Sequence, residues 1–182
     1  MSEMTLYRHG QREPLAQSSD HATIAEQLER IGVRFERWEA TGALPDGSSQ
    51  DEIIEAYRES IDRLMQAHGL QSVDVVSLTP DHPQRDELRN KFLAEHVHDD
   101  FEIRFFVAGQ GLFYLRPNDD DVIAVRCEAG DLISVPAGVR HWFDMGAQPR
   151  FTCIRLFTTP EGWVARFTGD PIAGDYPLLD AA

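Results

Sequence analysis

The stretch His96-Val97-His98-Asp99-Asp100-Phe101-Glu102-Ile103-Arg104 decides how this 182-residue chain is read, together with one later residue, His141. Side chains alternate faces along an extended strand, so the imidazoles of His96 and His98 point to the same side and can grip one ion. Glu102 lies four residues beyond His98 and shares its parity; if the Asp99-Asp100 turn keeps the register, a carboxylate joins the two nitrogens. Neutral imidazole plus one carboxylate, with coordination positions left open, suits a first-row transition metal that does chemistry. Arg104 has the parity of Glu102, so a regular strand turns its guanidinium towards the same ion, where burial is costly unless the charge is paired. Arg155 makes the point from another strand, because Phe151, Cys153 and Phe157 share its face. Two inward cations beside a divalent metal need something negative between them. That is either a structural acid, such as Glu95 or Asp99, or a substrate bound as an anion whose charge the arginines stabilise.

Gly109 follows Glu102 after six residues, and a second cluster reads Gly130-Asp131-Leu132-Ile133-Ser134-Val135-Pro136-Ala137-Gly138-Val139-Arg140-His141. The two clusters resemble the signature motifs of the cupin superfamily, H-x-H-x3-E-x6-G and G-x5-P-x-G-x2-H. Two motif-flanking positions depart from the pattern, Asn90 and Met145, and neither is a ligand position. The Pro136-x-Gly138 turn sets where the next strand starts and so aims His141 inward at the ion held by the first cluster; the competing reading is a core histidine beside Trp142 and Phe143,.

Seventeen basic against 31 acidic side chains give a net charge of -14, which repels phosphate backbones and anionic lipid headgroups,. Neither nucleic acid nor membrane is therefore expected as a partner. The N-terminus lacks the basic start and apolar run of a secretory signal, and no apolar stretch reaches bilayer-spanning length, which points to the cytoplasm,. Cys127 and Cys153 lie in strand-like runs and read as buried free thiols,. An acidic surface without an exposed apolar stripe points to a monomer.

A chain of this length at 42% hydrophobic reads as a single domain, 1–182, with a mixed helix and strand part over 1–93 and a metal-binding core over 94–182,. Asp20 stands before Ile24, Leu28 and Ile31 at helical spacing, with Gly32 as the stop,. Val33 to Trp38 reads as a strand. Ser49 and Glu52 form a capping box for one helix carrying Ile53, Ile54, Tyr57, Ile61, Leu64 and Met65 as far as Gly69,. Val73 to Leu78 is a strand, and Pro83 suits the first turn of a third helix burying Leu88, Phe92 and Leu93,. From His96 onward short strands alternate with turns at Gly109-Gln110-Gly111 and at Pro117 to Asp121, the latter a solvated hairpin tip rather than a calcium loop,. His9, His68 and His82 read as surface or capping residues. The fold expected is mainly β, a cupin jelly-roll β-barrel with additional N-terminal helices (α+β).

The resemblance then narrows. Glu95-His96-Val97-His98 with E-x-R-F-F-V-x-G-x-G over Glu102 to Gly111, the preceding His82-Pro83, Asp86 to Arg89 and Lys91-Phe92-Leu93, and the later Pro136 to Phe143, look like bacterial acireductone dioxygenase over nearly the whole chain. What this implies is an enzyme of methionine salvage acting on 1,2-dihydroxy-3-keto-5-methylthiopentene and O2. With Fe2+ the family yields 4-methylthio-2-oxobutanoate and formate; with Ni2+ it yields methylthiopropanoate, formate and carbon monoxide. The resemblance makes His96, His98, Glu102 and His141 the ligands of one ion per chain. Arg104 holds the substrate dianion, and Glu95 and Asp99 tune metal uptake or geometry. Arg155, by its strand parity, is expected to join Arg104 in substrate binding, and Phe92, Phe106, Phe143 and Trp163 read either as the pocket around the methylthio tail or as ordinary core. The alternatives are another cupin dioxygenase or isomerase with the same ligands, and a non-catalytic small-molecule-binding cupin.

Overall fold

A computed structural model describes residues 1–180 of the chain. Eleven strands, β1 (Glu3–Arg8), β2 (Pro14–Ser18), β3 (Arg34–Arg37), β4 (Ser72–Leu78), β5 (His96–Val97), β6 (Glu102–Arg116), β7 (Asp121–Glu128), β8 (Asp131–Val135), β9 (Arg140–Asp144), β10 (Phe151–Phe157) and β11 (Arg166–Phe167), are joined by four helices, α1 (His21–Glu29), α2 (Gln50–Ala56), α3 (Arg58–His68) and α4 (Arg85–Leu93). All strand pairings are antiparallel. One sheet runs β11-β5-β9-β6-β7-β1-β2 and the other β4-β10-β6-β8-β3, so β6 belongs to both. The N-terminal strands do not stand beside the later half; they complete its sheets, with β1 on β7, β3 on β8 and β4 on β10. This is the mainly β architecture with added helices that the motifs predicted.

The fifteen-residue β6 corrects one expectation, because no turn interrupts it at Gly109-Gln110-Gly111. Instead it bends. Its register on β10 skips Val107, and Gly109 takes φ +78, a conformation that side chains rarely tolerate. A Cβ there would lie 1.8 Å from the Arg150 carbonyl oxygen. The extra residue flips parity. Before the bend Glu102, Arg104 and Phe106 face inward; after it Phe113 and Leu115 do, joining Phe35, Ile133, Phe143 and Cys153 in the core between the sheets. The opposite face of β6 is buried too. Ile103 and Phe105 meet α2 and α3, with Phe105 between Trp38 and Tyr57, whereas Leu112 and Tyr114 are covered by Ile172 and Tyr176 of the C-terminal segment. Burial on both faces explains why β6 carries two apolar runs, Phe105 to Ala108 and Leu112 to Leu115, on either side of its exposed bend,.

The caps legible in sequence form. Asp20 accepts from the Thr23 N–H, Ser49 and Glu52 cap α2 reciprocally, and Gly69 closes α3 at φ 64. Three details differ. The single helix expected over 50–68 breaks at Tyr57, whose backbone leaves helical geometry as its ring packs edge-on against Phe105. Pro83 precedes α4 by two residues instead of opening it, and α4 has no fully buried side chain, since Leu88 and Phe92 border a cavity. Cys127 and Cys153 are buried free thiols, and burial pushes Cys153 up to about 12.

Asp144, with no exposure, accepts both Arg89 donors at 2.8 and 3.0 Å and the backbone N–H groups of Gly146 and Leu179. It therefore ties α4, the β9–β10 turn and the C-terminal segment together. Burial alone would raise its pKa, but these donors outweigh it and hold the carboxyl below its ordinary 3.8. A group depressed in the fold stabilises above its unfolded pKa and loses that contribution as pH falls through the folded value. Asp144→Asn is expected to cost about 3–5 kcal/mol at neutral pH. Urea denaturation should show the gap between variant and wild type closing as pH drops below the ordinary carboxylate range.

Candidate metal centre

The four expected ligands meet. Donor atoms of His96, His98, Glu102 and His141 lie within 4.8 Å of one another, and all four residues are buried. They come from both sheets. His96 on β5 pairs directly with His141 on β9 in one sheet, while Glu102 starts the half of β6 that pairs with β8 in the other. His98 lies just beyond β5, where its carbonyl accepts the Gly138 N–H at 2.9 Å. Gly138 has φ +79, so the proline-glycine turn binds the second cluster to the first through a backbone conformation suited to glycine,.

The ring nitrogens are assigned by their outer partners. Nδ1 of His96, His98 and His141 lies 2.8, 3.1 and 2.8 Å from the carbonyls of Ala94, Val164 and Val139. A carbonyl only accepts, so each Nδ1 carries a proton and each neutral ring presents the lone pair of Nε2 to the centre. Glu102 Oε2 lies 2.9 Å from Nε2 of His98 and 3.0 Å from Nε2 of His141. Lone pairs facing a carboxylate at that range require a cation between them, either a proton or a metal. Adjacent donors about 2.1 Å from a shared ion are spaced about 3 Å apart, so the donor set fits a metal, and imidazole with carboxylate suits a first-row ion.

The electrostatics keep the centre ready. Burial, reinforced by the charge of His141, lowers His96 to about 4. Burial acts the same way on His98, but the Glu102 carboxylate outweighs it and raises that imidazole above its ordinary value. For Glu102 burial favours the neutral acid, yet hydrogen bonds from His141 and His98 and the charge of Arg104 hold it well below the usual carboxylate range.

His96, His98 and Glu102 border a cavity of about 290 Å³ lined also by Arg104, Phe92, Phe143, Arg155 and Trp163. Arg104 faces inward as its parity predicts, donating to Glu102 Oε1 at 3.0 Å with its guanidinium 4.5 Å from the Phe143 ring centroid. Its Nε is buried without a partner, as is Nε1 of Trp163. Arg155 shares this cavity, as its parity predicts, but not as a free cation. It stands directly opposite Arg104 across β10 and β6, but it is half-buried and already gives two hydrogen bonds to Asp74, at 2.8 and 2.6 Å. Like charges placed opposite each other repel, and here each guanidinium has its own carboxylate.

The acids expected between the arginines lie elsewhere. Glu95 is buried against Arg116 at 2.6 Å and Thr168 at 2.7 Å, and Asp99 is exposed and pairs with Arg166; neither lines the cavity. Phe106 is core rather than cavity wall, packed against Phe143 and Phe151. His9, His68 and His82 lie outside the site, with His82 Nδ1 accepting the Gln84 N–H. Sequence reasoning missed Leu88, Lys91, Ala165 and Phe167 as lining residues. Leu88, Lys91 and Phe92 stand at i, i+3 and i+4 on α4, a spacing that would have placed the first two once Phe92 was chosen. Ala165 and Phe167 depend on β11 pairing with β5, which no local pattern announces.

An ion seated between the Glu102 carboxylate and Nε2 of His98 competes there with a proton, because that carboxylate raises the imidazole above its ordinary value,. Calorimetric titration of chelator-treated protein in buffers of differing ionisation enthalpy should show proton release on binding, and affinity falling as pH drops below the raised His98 value. Glu102→Ala or His98→Ala should lose at least about 10–100-fold in metal affinity, the range that outer partners alone command; elemental analysis giving a full complement in either variant would refute the ligand assignment.

Comparison with known proteins agrees with this geometry. The model of the ARD/ARD' family matches residues 4–165. The acireductone dioxygenase of Aquifex aeolicus is 54% identical over 180 residues, spanning 99% of this chain and 97% of that protein. That of Pseudomonas aeruginosa strain UCBPP-PA14 is 56% identical over 181 residues, spanning 99% of each. A solved structure of acireductone dioxygenase from Bacillus anthracis, with a cadmium ion in its active centre, superposes with a TM-score of 0.79 at 31% identity, over 92% of this chain and 98% of that one.

Proposed function

The chain belongs to the acireductone dioxygenase family, and from that premise we propose that His96, His98, Glu102 and His141 hold one Fe2+ or Ni2+ ion at the floor of the cavity, beside which an acireductone is seated and oxidised by O2. The substrate proposed is 1,2-dihydroxy-3-keto-5-methylthiopentene, which places the reaction in methionine salvage. The products are 4-methylthio-2-oxobutanoate and formate with iron, or methylthiopropanoate, formate and carbon monoxide with nickel. The observation that carries the reading is Arg104, a buried guanidinium beside Glu102 with an unpartnered Nε in the same cavity as the ligands.

When bound, a divalent ion supplies Lewis-acid charge that draws in the two enediol oxygens and lowers their pKa. The remaining work falls to side chains. An enediol conjugated to a ketone is acidic, and Arg104 stabilises the anion at a site where water does not screen the charge. The buried N–H groups of Arg104 Nε and Trp163 Nε1 offer hydrogen bonds to substrate oxygen, and binding relieves the cost of leaving them unmade,. Arg155, held by Asp74, adds positive potential from the neighbouring strand. Leu88, Phe92, Phe143 and Phe167 supply apolar surface for the methylthio tail and exclude water from the electron-rich anion,. Glu95 reaches the site only through the chain: its contacts with Arg116 and Thr168 hold the backbone that carries His96. Asp99, by its ion pair with Arg166, fastens β11 next to the ligand loop.

Arg104→Met should retain its metal by elemental analysis and lose about 10²–10³ in kcat, the scale of one preorganised charge-stabilising donor. Mixed anaerobically with substrate, it should fail to develop the ultraviolet band of the ionised enediol. Wild-type protein reconstituted with iron or nickel should consume O2 in both forms and release carbon monoxide only with nickel. Normal oxygen uptake by Arg104→Met, or no uptake by either wild-type form, would overturn the assignment.

A further inference from the structure

Lys91 is the only lysine in the chain, and it lies on the cavity lining. The cavity's other two cations are spoken for, Arg104 by Glu102 at 3.0 Å and Arg155 by Asp74 at 2.6 Å. No carboxylate oxygen among the described residues lies within 4.0 Å of the Lys91 ammonium. Glu87, one helical turn earlier on α4, is exposed and does not pair with it. Lys91 is itself exposed, whereas its cavity-facing neighbours Leu88 and Phe92 are half-buried, which sets the ammonium at the rim.

A net charge of -14 works against the arrival of any anion. Charges at the mouth of a low-dielectric cleft focus the potential that an incoming ligand meets, and govern association more than the bound state. α4 is fixed in place by Arg89, two residues before Lys91 and bound bidentately to the buried Asp144, so the ammonium is carried on an anchored element. Its flexible stem then lets the charge follow a ligand inward.

We propose that Lys91 is a positioning residue that captures the anionic enediolate at the rim and orients it, charged end inward, before Arg104 and the centre receive it. This rests on the acireductone reading. It assigns Lys91 no contact with the reacting atoms. The effect is electrostatic, belongs to kcat/KM rather than kcat, and is screened by salt.

Steady-state oxygen uptake by the metal-loaded enzyme, at low and at high ionic strength, tests this in Lys91→Arg, Lys91→Gln and Lys91→Glu. At low salt kcat/KM should fall about threefold in Lys91→Gln and about tenfold in Lys91→Glu, with Lys91→Arg close to wild type, and the differences should shrink as the Debye length contracts below about 10 Å. Because the lysine is unique, reductive methylation with 13C-formaldehyde retains its charge and gives one ε-dimethylamine resonance, separate from that of the N-terminal amine. Anaerobic addition of acireductone should shift that resonance and leave the N-terminal one in place. An unchanged kcat/KM in Lys91→Glu, a loss that falls equally on kcat and persists in high salt, or an active enzyme whose lysine resonance stays still would each overturn the proposal. A wild-type enzyme that takes up no oxygen would instead sink the acireductone reading.

Discussion

Glu102 is 4% exposed, and a carboxylate taken out of water stays ionised only if charges and donors are brought to it,. Its two oxygens are divided between two tasks. Oε2 faces Nε2 of His98 and His141, and Oε1 takes the Arg104 guanidinium. One acid thereby orients two imidazoles and one cation, while three backbone carbonyls turn the Nδ1 protons outward. Removing the carboxylate would leave converging lone pairs without a common acidic partner and a guanidinium without its acceptor. The same carboxylate that helps to hold a metal thus also fixes the residue proposed to hold the substrate's charge.

That arrangement depends in turn on a strand that serves two sheets. Glu102 and His141 lie far apart in sequence, and what unites them is that β6 pairs with β8 and β10 before its bend and with β9 and β7 after it. The bulge at Val107 and the positive φ of Gly109 reverse which face of β6 looks inward, so Arg104 and Phe113 share one interior although their parities differ. Gly111 is constrained for another reason: a Cβ there would meet the Phe143 ring at 2.4 Å, and Phe143 is the ring against which Arg104 lies. Packing of the bend and placement of the guanidinium are therefore one problem.

What was legible in the sequence was local, or was carried by motif spacing. The helix caps at Asp20 and Ser49, the stop at Gly69 and the convergence of His96, His98, Glu102 and His141 each rest on residues a few positions apart or on a fixed motif interval. Readings failed where one residue answers to a distant neighbour. Tyr57 breaks a helix that its apolar stripe would continue, for the sake of contact with Phe105. Arg155 looks like a free inward cation until β4 brings Asp74 to the next strand. Glu95 and Asp99 are near the ligands in sequence, but Arg116 and Arg166 draw them to other places. Glycine pairs ordinarily signal turns, so the run 109–111 concealed a bend whose partner, Arg150, lies some forty residues on,.

The distribution of charge follows from the same separation of near and far. The chain as a whole carries a net charge of -14, yet two guanidiniums, Arg104 and Arg155, line one cavity beside the imidazoles of His96 and His98. The two guanidiniums are each paired with a carboxylate, Arg104 with Glu102 and Arg155 with Asp74, so their field is short-ranged and acts on a ligand already inside,. Reach beyond the rim requires a charge without a partner, on a mobile stem, at the boundary with solvent. Lys91 meets all three conditions on a helix that presents its other cavity-facing residues, Leu88 and Phe92, as apolar wall. Attraction at the entrance and stabilisation at the centre are thus carried by different cations, which allows capture to be tuned without disturbing the charge balance on which Glu102, and through it the metal centre, depends.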